Sequence, residues 1–148
     1  MAPGRAFALI RIPRIDVERV LVEGVERDDL RKGPGHVPST VLPGRPGTFA
    51  VSGHRTTYGA PFYRLDELRE GDQILIVTQA STFTYAVSRT QILLPTDVWV
   101  LDDVPGPGGK PKPTITLTTC NPRYSARQRL IVFGDLTSSV PNRSAAAA

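Results

Sequence analysis

The residue with the clearest chemical potential is Cys120, the single cysteine of the 148-residue chain. It ends the β-branched segment 116–120 (TLTTC), which favours a strand, and Asn121-Pro122 interrupts that strand directly after the sulfur. We therefore expect the thiol at a strand end, where a cleft can form. A lone cysteine excludes an internal disulfide and a CxxC site, which leaves a buried structural thiol or a nucleophile.

A histidine and an arginine occupy comparable positions. His54 follows the alternating segment 48–52, and Arg129 begins the apolar segment 129–132. A cysteine is reactive near neutral pH when a base or a cation activates it, and acyl chemistry also needs a donor for the oxyanion. Neighbouring strand ends meet at the rim of a closed barrel, so these residues can converge there. The sequence predicts a site made of His54, Cys120 and Arg129.

Two of these residues have competitors. His36 is the other histidine, but it lies in a Gly- and Pro-rich segment without a preceding strand. Arg123 is nearer to Cys120 in sequence and falls in the predicted loop, where it would face solvent. Arg127 shares strand parity with Arg129 and can flank the same cleft.

No cofactor and no metal site are predicted. Asp102 and Asp103 are adjacent carboxylates, but they lack the ligand spacing of a calcium loop. Trp99 lies in an apolar segment and is typical of a core residue, although such a residue can also line a substrate groove.

Composition limits the class of protein. Hydrophobic residues make up 40% and charged residues 22% of the chain, which is typical of a soluble globular domain. The formal net charge is +4, but acids and bases alternate, as in 26–32 (ERDDLRK), and no RNA-binding signature is present. We therefore predict no nucleic-acid partner. No apolar segment is long enough to cross a bilayer, and there is no signal-peptide pattern.

The chain shows about eight short strands, at most two short helices and frequent turns. This pattern favours a mainly antiparallel barrel or sandwich. The main predicted strands are 7–12, 17–25, 48–52, 73–77, 82–88 with a continuation to 94, 114–119 and 128–136. Helices are predicted at 25–33 and 63–68, and long loops at 33–47 and 95–112.

The segment 116–120 followed by 129–132 (RLIV) is similar to the TLxTC…R signature of sortases. The segment 52–55 (SGHR) occupies the place of the family histidine, and the resemblance extends from about Phe7 to Leu136. The segments 54–59 (HRTTYG) and 121–129 (NPRYSARQR) resemble class E sortases of high-GC actinobacteria. The resemblance implies a mainly β fold, a closed eight-stranded sortase-type barrel with one or two short helices and long connecting loops.

The resemblance also implies a cysteine transpeptidase. Cys120 would cleave the Thr–Gly bond of a C-terminal LAxTG- or LPxTG-type sorting signal and form a thioester, which an amine of the cell-wall precursor lipid II would resolve. His54 would act as general acid and base, and Arg129 would bind the substrate backbone and stabilise the oxyanion. Tyr58 is at a position linked to the LAxTG signal, and Thr118 and Thr119 are expected to contact substrate.

The expected partners are surface proteins that carry sorting signals, and the expected place is the extracellular face of the plasma membrane. There a membrane segment absent from this sequence would anchor the full-length protein. We expect a disordered leader over 1–6, the catalytic domain over 7–137 and a disordered tail over 138–148. Two alternatives remain open. One is a pilin-polymerising sortase with a lysine acceptor, and the other is a non-catalytic β-barrel binding module with a buried Cys120.

Overall fold

In the computed structural model, which describes residues 2–142, the strands form a sheet that closes on itself. The strands are β1 (Ala6–Ile12), β2 (Val17–Glu23), β3 (Gly35–His36), β4 (Gly47–Ser52), β5 (Gln73–Thr78), β6 (Ser81–Leu93), β7 (Val104–Pro105), β8 (Pro111–Asn121) and β9 (Gln128–Pro141). Their order is β4-β3-β2-β1-β5-β6-β9-β8, and a further pairing of β4 with β8 closes the ring. The short β7 pairs with the start of β8. The predicted eight-stranded barrel is confirmed.

The barrel interior is filled by apolar side chains from alternate strand positions, as the two-residue period of a strand requires. The fully buried core residues on the strands are Ile10, Ile12, Leu21, Phe49, Val51, Ile74, Ile76, Tyr85, Ile115, Leu117 and Val132. The connection between β4 and β5 adds Phe62 and Leu65. On β8, Ile115 and Leu117 belong to this core, whereas Thr118 and Cys120 are half-buried. Strand alternation therefore places Cys120 on the outer face of the barrel.

Helical structure is sparse. The predicted first helix is present as α1 (Arg27–Lys32), and a capping box between Glu26 and Asp29 begins it. The predicted second helix is a single 3₁₀ turn, Leu65–Glu67. Within residues 2–142, no helix has the length and apolar character that crossing a bilayer requires.

The two predicted long loops contain more structure than the sequence indicated. β3 lies inside 33–47, where Gly35 pairs with both β2 and β4. The connection 95–112 contains the 3₁₀ turn Val98–Leu101 and β7. In both cases backbone pairing to a neighbouring strand supplies the order, and Gly- or Pro-rich composition does not reveal such pairing.

The predicted boundaries at both ends need correction. The N–H of Gly4 donates to the carbonyl of Glu23 at 2.6 Å, so the predicted leader pairs with β2 before β1 begins. At the other end, β9 continues to Pro141 because 138–141 pairs with the start of β6. Both extensions depend on backbone hydrogen bonds and present few apolar side chains, so no hydrophobic pattern marks them. Residues 143–148 of the predicted tail lie outside the described range.

Tyr85 connects the barrel core to the loop before β4. Its ring is fully buried, and its hydroxyl oxygen accepts a hydrogen bond from the Gly44 N–H at 2.8 Å. Burial raises the pKa of Tyr85 to about 12. The folded-state pKa therefore lies above the unfolded value, and the stability that the neutral phenol provides is lost as pH rises from 10 through 12.

We predict that Tyr85→Phe lowers the free energy of unfolding by about 1–3 kcal/mol at pH 8, because the Gly44 N–H is left without an acceptor. Urea denaturation measures this difference, which should narrow at pH 11 because the phenol of the unfolded parent chain ionises above pH 10 while the buried phenol stays largely neutral. The control is Tyr124→Phe, at a ring that is 79% exposed. Equal losses in the two variants would contradict the prediction.

Candidate active site

The parallel pairing of β4 with β8 brings His54 close to Cys120. Ser52, the last residue of β4, lies opposite Thr118, and the N–H of Gly53 donates to the carbonyl of Thr118 at 3.1 Å. The chains thus remain paired one step beyond the end of β4. His54, two residues after Ser52, therefore lies beside the end of β8 and lines the same cleft as Cys120.

On the other side of β8, Cys120 lies directly opposite Arg129 in the antiparallel pair with β9. Residues directly opposite in such a pair project from the same face of the sheet. His54, just past the end of β4, Cys120 near the end of β8 and Arg129 near the start of β9 therefore lie in a row along one end of three adjacent strands, with Cys120 and Arg129 on the outer face of the barrel. We call these three residues the cross-strand row.

A cleft of about 390 Å³ opens beside the cross-strand row, and both His54 and Cys120 line it. The loop between β8 and β9 contributes Ser125 to the opposite wall. Cys120 is a free, half-buried thiol. The cleft is therefore accessible to a ligand, and the thiol and the imidazole both face it.

The imidazole of His54 is shielded on one side. Its Nε2 is buried and has no hydrogen-bond partner within residues 2–142. Burial lowers the pKa of His54 below its ordinary value of 6.5. The ring of Tyr58, itself 52% exposed, lies with its centroid 5.1 Å from that of His54. His54 is thus predominantly neutral at pH 7, with an unsatisfied nitrogen that can take or give a proton.

Arg129 lies at the junction of the loop and a second groove. Its Nη1 donates to the carbonyl oxygens of Ala126 at 2.8 Å and Gln128 at 3.0 Å, which ties down the loop before β9. Nε and Nη2 of Arg129 make no hydrogen bond to residues 2–142, and guanidinium carries three N–H groups on these two nitrogens. They are the donors that a ligand can reach.

The second groove, of about 220 Å³, continues from Arg129 along the outer face of β8 and β9. Thr118 lines it, and its hydroxyl is hydrogen-bonded to that of Ser52 at 2.7 Å. The opposite wall is largely apolar and comes from the connection between β6 and β7, namely from Leu94, Pro95, Val98, Val100 and Leu101. Trp99 lies outside this groove and stacks on Phe133 with ring centroids 6.1 Å apart.

His36 has a structural environment. It is 2% exposed, its Nδ1 lies 2.6 Å from Glu23 Oε1, and its Nε2 lies 3.0 Å from the carbonyl oxygen of Val41. Its ring stacks on Phe49 at a centroid distance of 5.2 Å. Both nitrogens are occupied and remote from the cleft, so His36 does not compete with His54.

The competing arginines are placed differently from Arg129. Arg123 donates through Nε to the carbonyl of Tyr63 at 3.2 Å and through Nη2 to Asp66 at 3.1 Å, and its guanidinium lies 4.2 Å over the Tyr63 ring. Arg127 is exposed in the loop before β9. Neither stands opposite Cys120.

The structure corrects the role expected for Thr119. Its side chain is 3% exposed, and its hydroxyl donates to the carbonyl of Gly53 at 2.7 Å inside the barrel wall. Strand alternation turns Thr119 inward when Thr118 and Cys120 face outward. The hydroxyl therefore holds the segment that leads to His54 and does not face the cleft.

Sequence reasoning missed Arg55. This residue is 4% exposed, and its Nη1 donates to the carbonyl of Cys120 at 2.9 Å. The only available signal was a charged residue directly after a strand end, and such residues are usually solvated. Burial of the guanidinium depends on packing that a sequence pattern does not report.

Asp102 and Asp103, in the connection between β6 and β8, both contact Thr48, Asp103 through its carboxylate and Asp102 through its backbone carbonyl. Asp103 Oδ1 accepts the N–H of Thr48 at 2.9 Å, and the carbonyl of Asp102 accepts the Thr48 hydroxyl at 2.8 Å. Within the part of the chain that the structure describes, no three His, Cys, Asp or Glu side chains converge as metal ligands.

Comparison with known proteins yields one family. The sortase-domain family model matches residues 10–137. Sortase SrtE1 of Streptomyces coelicolor is 37% identical over 94% of the chain, and sortase D of Bacillus subtilis is 35% identical over 88%. The matches span 42% and 64% of these relatives, so the chain corresponds to less than two thirds of either protein.

Solved structures agree. Sortase E of Streptomyces avermitilis has a TM-score of 0.85 and 37% identity, and the match covers 95% of this chain and 93% of that one. Sortase E1 of Streptomyces coelicolor, solved with a tripeptide in its active site, has a TM-score of 0.86 and 33% identity, with 99% of both chains covered. The likeness thus extends over nearly all of the chain, in sequence and in fold. The chain belongs to the sortase family and resembles its class E members.

Proposed function

We propose that the protein is a cysteine transpeptidase. It cleaves the Thr–Gly bond of a C-terminal LAxTG- or LPxTG-type sorting signal and transfers the new carboxyl end to an amine of the cell-wall precursor lipid II. The observation that supports this proposal is the cross-strand row, which sets a free thiol beside an imidazole at one cleft and opposite a guanidinium that lines the second groove. Membership of the sortase family supports the same reaction class.

In the first half-reaction, the Cys120 thiol transfers its proton to His54, the sulfur attacks the threonine carbonyl carbon, and the carbon–nitrogen bond to glycine breaks. His54 gives its proton to the departing amine, so the products are a Cys120 thioester and a free glycine amine. In the second half-reaction, the acceptor amine attacks the thioester carbon and His54 takes its proton. The new amide leaves, His54 returns the proton to the sulfur, and the Cys120 thiol is restored.

The lowered pKa of His54 affects how these two half-reactions proceed. Because the imidazole is predominantly neutral at pH 7, it can take the proton of the thiol and then give it to the leaving amine. No hydrogen bond to residues 2–142 competes for Nε2, so this nitrogen is free to exchange a proton with the thiol or the substrate.

Arg129 binds the substrate backbone and stabilises the negative charge on the oxyanion. Nη1 is engaged with the loop before β9, which orients the remaining N–H groups at the place directly opposite Cys120. A guanidinium held by its own neighbours loses little freedom when it binds a ligand. This preorganisation makes Arg129 a better candidate than Arg123, whose donors are engaged with Tyr63 and Asp66.

The second groove is the proposed site for the leucine of the signal. Its apolar wall comes from the 3₁₀ turn Val98–Leu101, and it meets the cross-strand row at Arg129. Thr118 lies between the groove and Cys120 and contacts the backbone of the bound signal. Tyr58, exposed beside His54, contacts the residue after leucine and favours alanine there.

The proposed partners are surface proteins with sorting signals and the lipid-linked precursor, which meet at the extracellular face of the plasma membrane. A pilin-type lysine acceptor differs from a glycine-like amine only in the second half-reaction. The two acceptors are therefore distinguished by adding each amine to the same peptide and identifying the product by mass spectrometry.

We predict that Cys120→Ala abolishes cleavage of an LAxTG-type peptide while the protein remains folded by circular dichroism. Liquid chromatography measures cleavage, and mass spectrometry of the parent protein should detect the Cys120 acyl adduct. Cleavage that is equally fast in Cys120→Ala would overturn the proposal and favour the non-catalytic binding module.

We predict that Arg129→Lys lowers kcat/KM for the same peptide by about 10²- to 10³-fold, as loss of one oxyanion donor does. Lysine retains the charge but not the planar set of donors. The matched control is Arg127→Lys, the same exchange at an exposed arginine two residues away, which should leave kcat/KM nearly unchanged. Similar losses in both variants would contradict a specific role of Arg129.

We predict that His54 titrates with a midpoint below 6.5, because its burial disfavours the imidazolium. NMR follows the two histidine rings against pH, and His54→Gln assigns the signals. The depressed folded-state pKa contributes stability above pH 6.5 that is lost as pH falls through the folded value. His54→Gln should accordingly lose less stability than the parent protein between pH 7 and pH 5. A midpoint above 6.5 would be incompatible with the buried imidazole.

A further inference from the structure

Arg55 connects the segment that carries His54 to the segment that carries Cys120. It follows His54 directly in the chain, and its guanidinium donates from Nη1 to the carbonyl of Cys120 at 2.9 Å. Its Nε donates to the carbonyl of Tyr63 at 2.9 Å, and its Nη2 donates to Asp66 Oδ1 at 3.0 Å. The guanidinium is therefore held in three directions, and its side chain is only 4% exposed.

The bond to Cys120 replaces one that the sheet has lost. Gly53 N–H donates to Thr118 O in the parallel ladder, and the next donor in register would be the backbone N–H of Arg55, facing Cys120 O. The chain turns away from β8 after Gly53, and the side chain of Arg55 supplies the donor instead. The carbonyl of the nucleophilic residue is thereby held at the end of the paired region.

We propose that Arg55 is a positioning residue, which fixes the backbone of Cys120 and with it the direction of the sulfur toward His54. The inference rests on the proposed function, since it assigns to Arg55 the alignment that the thiol and imidazole need. A buried guanidinium that donates to two backbone carbonyls and one carboxylate has little freedom to move. Such support keeps a neighbouring reactive group in a fixed position.

Arg123 offers a comparison within the same network. It donates to the same two acceptors, the carbonyl of Tyr63 at 3.2 Å and Asp66 Oδ1 at 3.1 Å. Its side chain is 35% exposed, against 4% for Arg55, and the contact with the carbonyl of Cys120 belongs to Arg55. A change at Arg123 therefore perturbs the shared anchor without removing the bond to the nucleophile.

The test compares Arg55→Lys with Arg123→Lys. Lysine keeps the charge but cannot donate in three fixed directions. For Arg55→Lys we expect kcat for the LAxTG-type peptide to fall by about 10- to 100-fold with KM little changed, as misplacement of a reacting group does. The pH profile of Cys120 alkylation by iodoacetamide should also shift. Arg123→Lys should keep kcat, KM and the alkylation profile of the parent protein.

Three results would overturn the proposal. They are unchanged kcat and alkylation in folded Arg55→Lys, equal losses in the two variants, and a loss confined to KM. If thermal melting shows that Arg55→Lys is unfolded, Arg55→Gln takes its place, since it buries no unpaired charge. Parent-like kcat and alkylation in Arg55→Gln would then reject the role.

The alkylation arm needs no peptide, so it separates this inference from the proposed function. If the parent protein fails to cleave the peptide, the transpeptidase proposal fails. An alkylation profile that shifts in Arg55→Lys and not in Arg123→Lys still supports Arg55 as the group that positions Cys120. Identical profiles in all three proteins reject it.

Discussion

The parallel pairing of β4 with β8 is the contact on which the site depends. It closes the barrel, and it places the end of β4 beside the end of β8. A parallel pair brings the carboxyl ends of both strands to the same edge, so residues just beyond each strand meet there. His54 and Cys120 are 66 positions apart in the chain and adjoin for this reason alone. The antiparallel partner β9 then adds Arg129 at the same level.

Where β4 leaves the sheet, side-chain hydrogen bonds replace those of the backbone ladder. Thr119 holds the carbonyl of Gly53 from inside the barrel, and Arg55 holds the carbonyl of Cys120 beyond it. The hydroxyls of Ser52 and Thr118 pair on the outer face. Buried backbone groups at a strand end are costly without partners, so these bonds stabilise the turn that presents His54. The same groups that satisfy the backbone thus limit movement of the site.

Environment, more than residue type, separates residues with a chemical role from their counterparts. His36 is buried and has partners on both ring nitrogens, whereas His54 is half-buried and its Nε2 has no partner among residues 2–142. Arg55 and Arg123 share acceptors and differ in burial. A filled set of hydrogen bonds makes a polar residue structural, and an open set leaves it available for ligands.

The sequence by itself determined the barrel class, α1, the family and the three residues of the cross-strand row, because strand periodicity, turn residues and a motif with a lone cysteine are local properties. Only the tertiary structure decided that Thr119 faces inward, that Arg55 is buried against Cys120, and that 4–5 and 138–141 join the sheet. These outcomes depend on register and on backbone pairing between distant segments. A one-residue shift in register would have exchanged the faces of Thr119 and Cys120, and no local pattern records which partner strand sets that register.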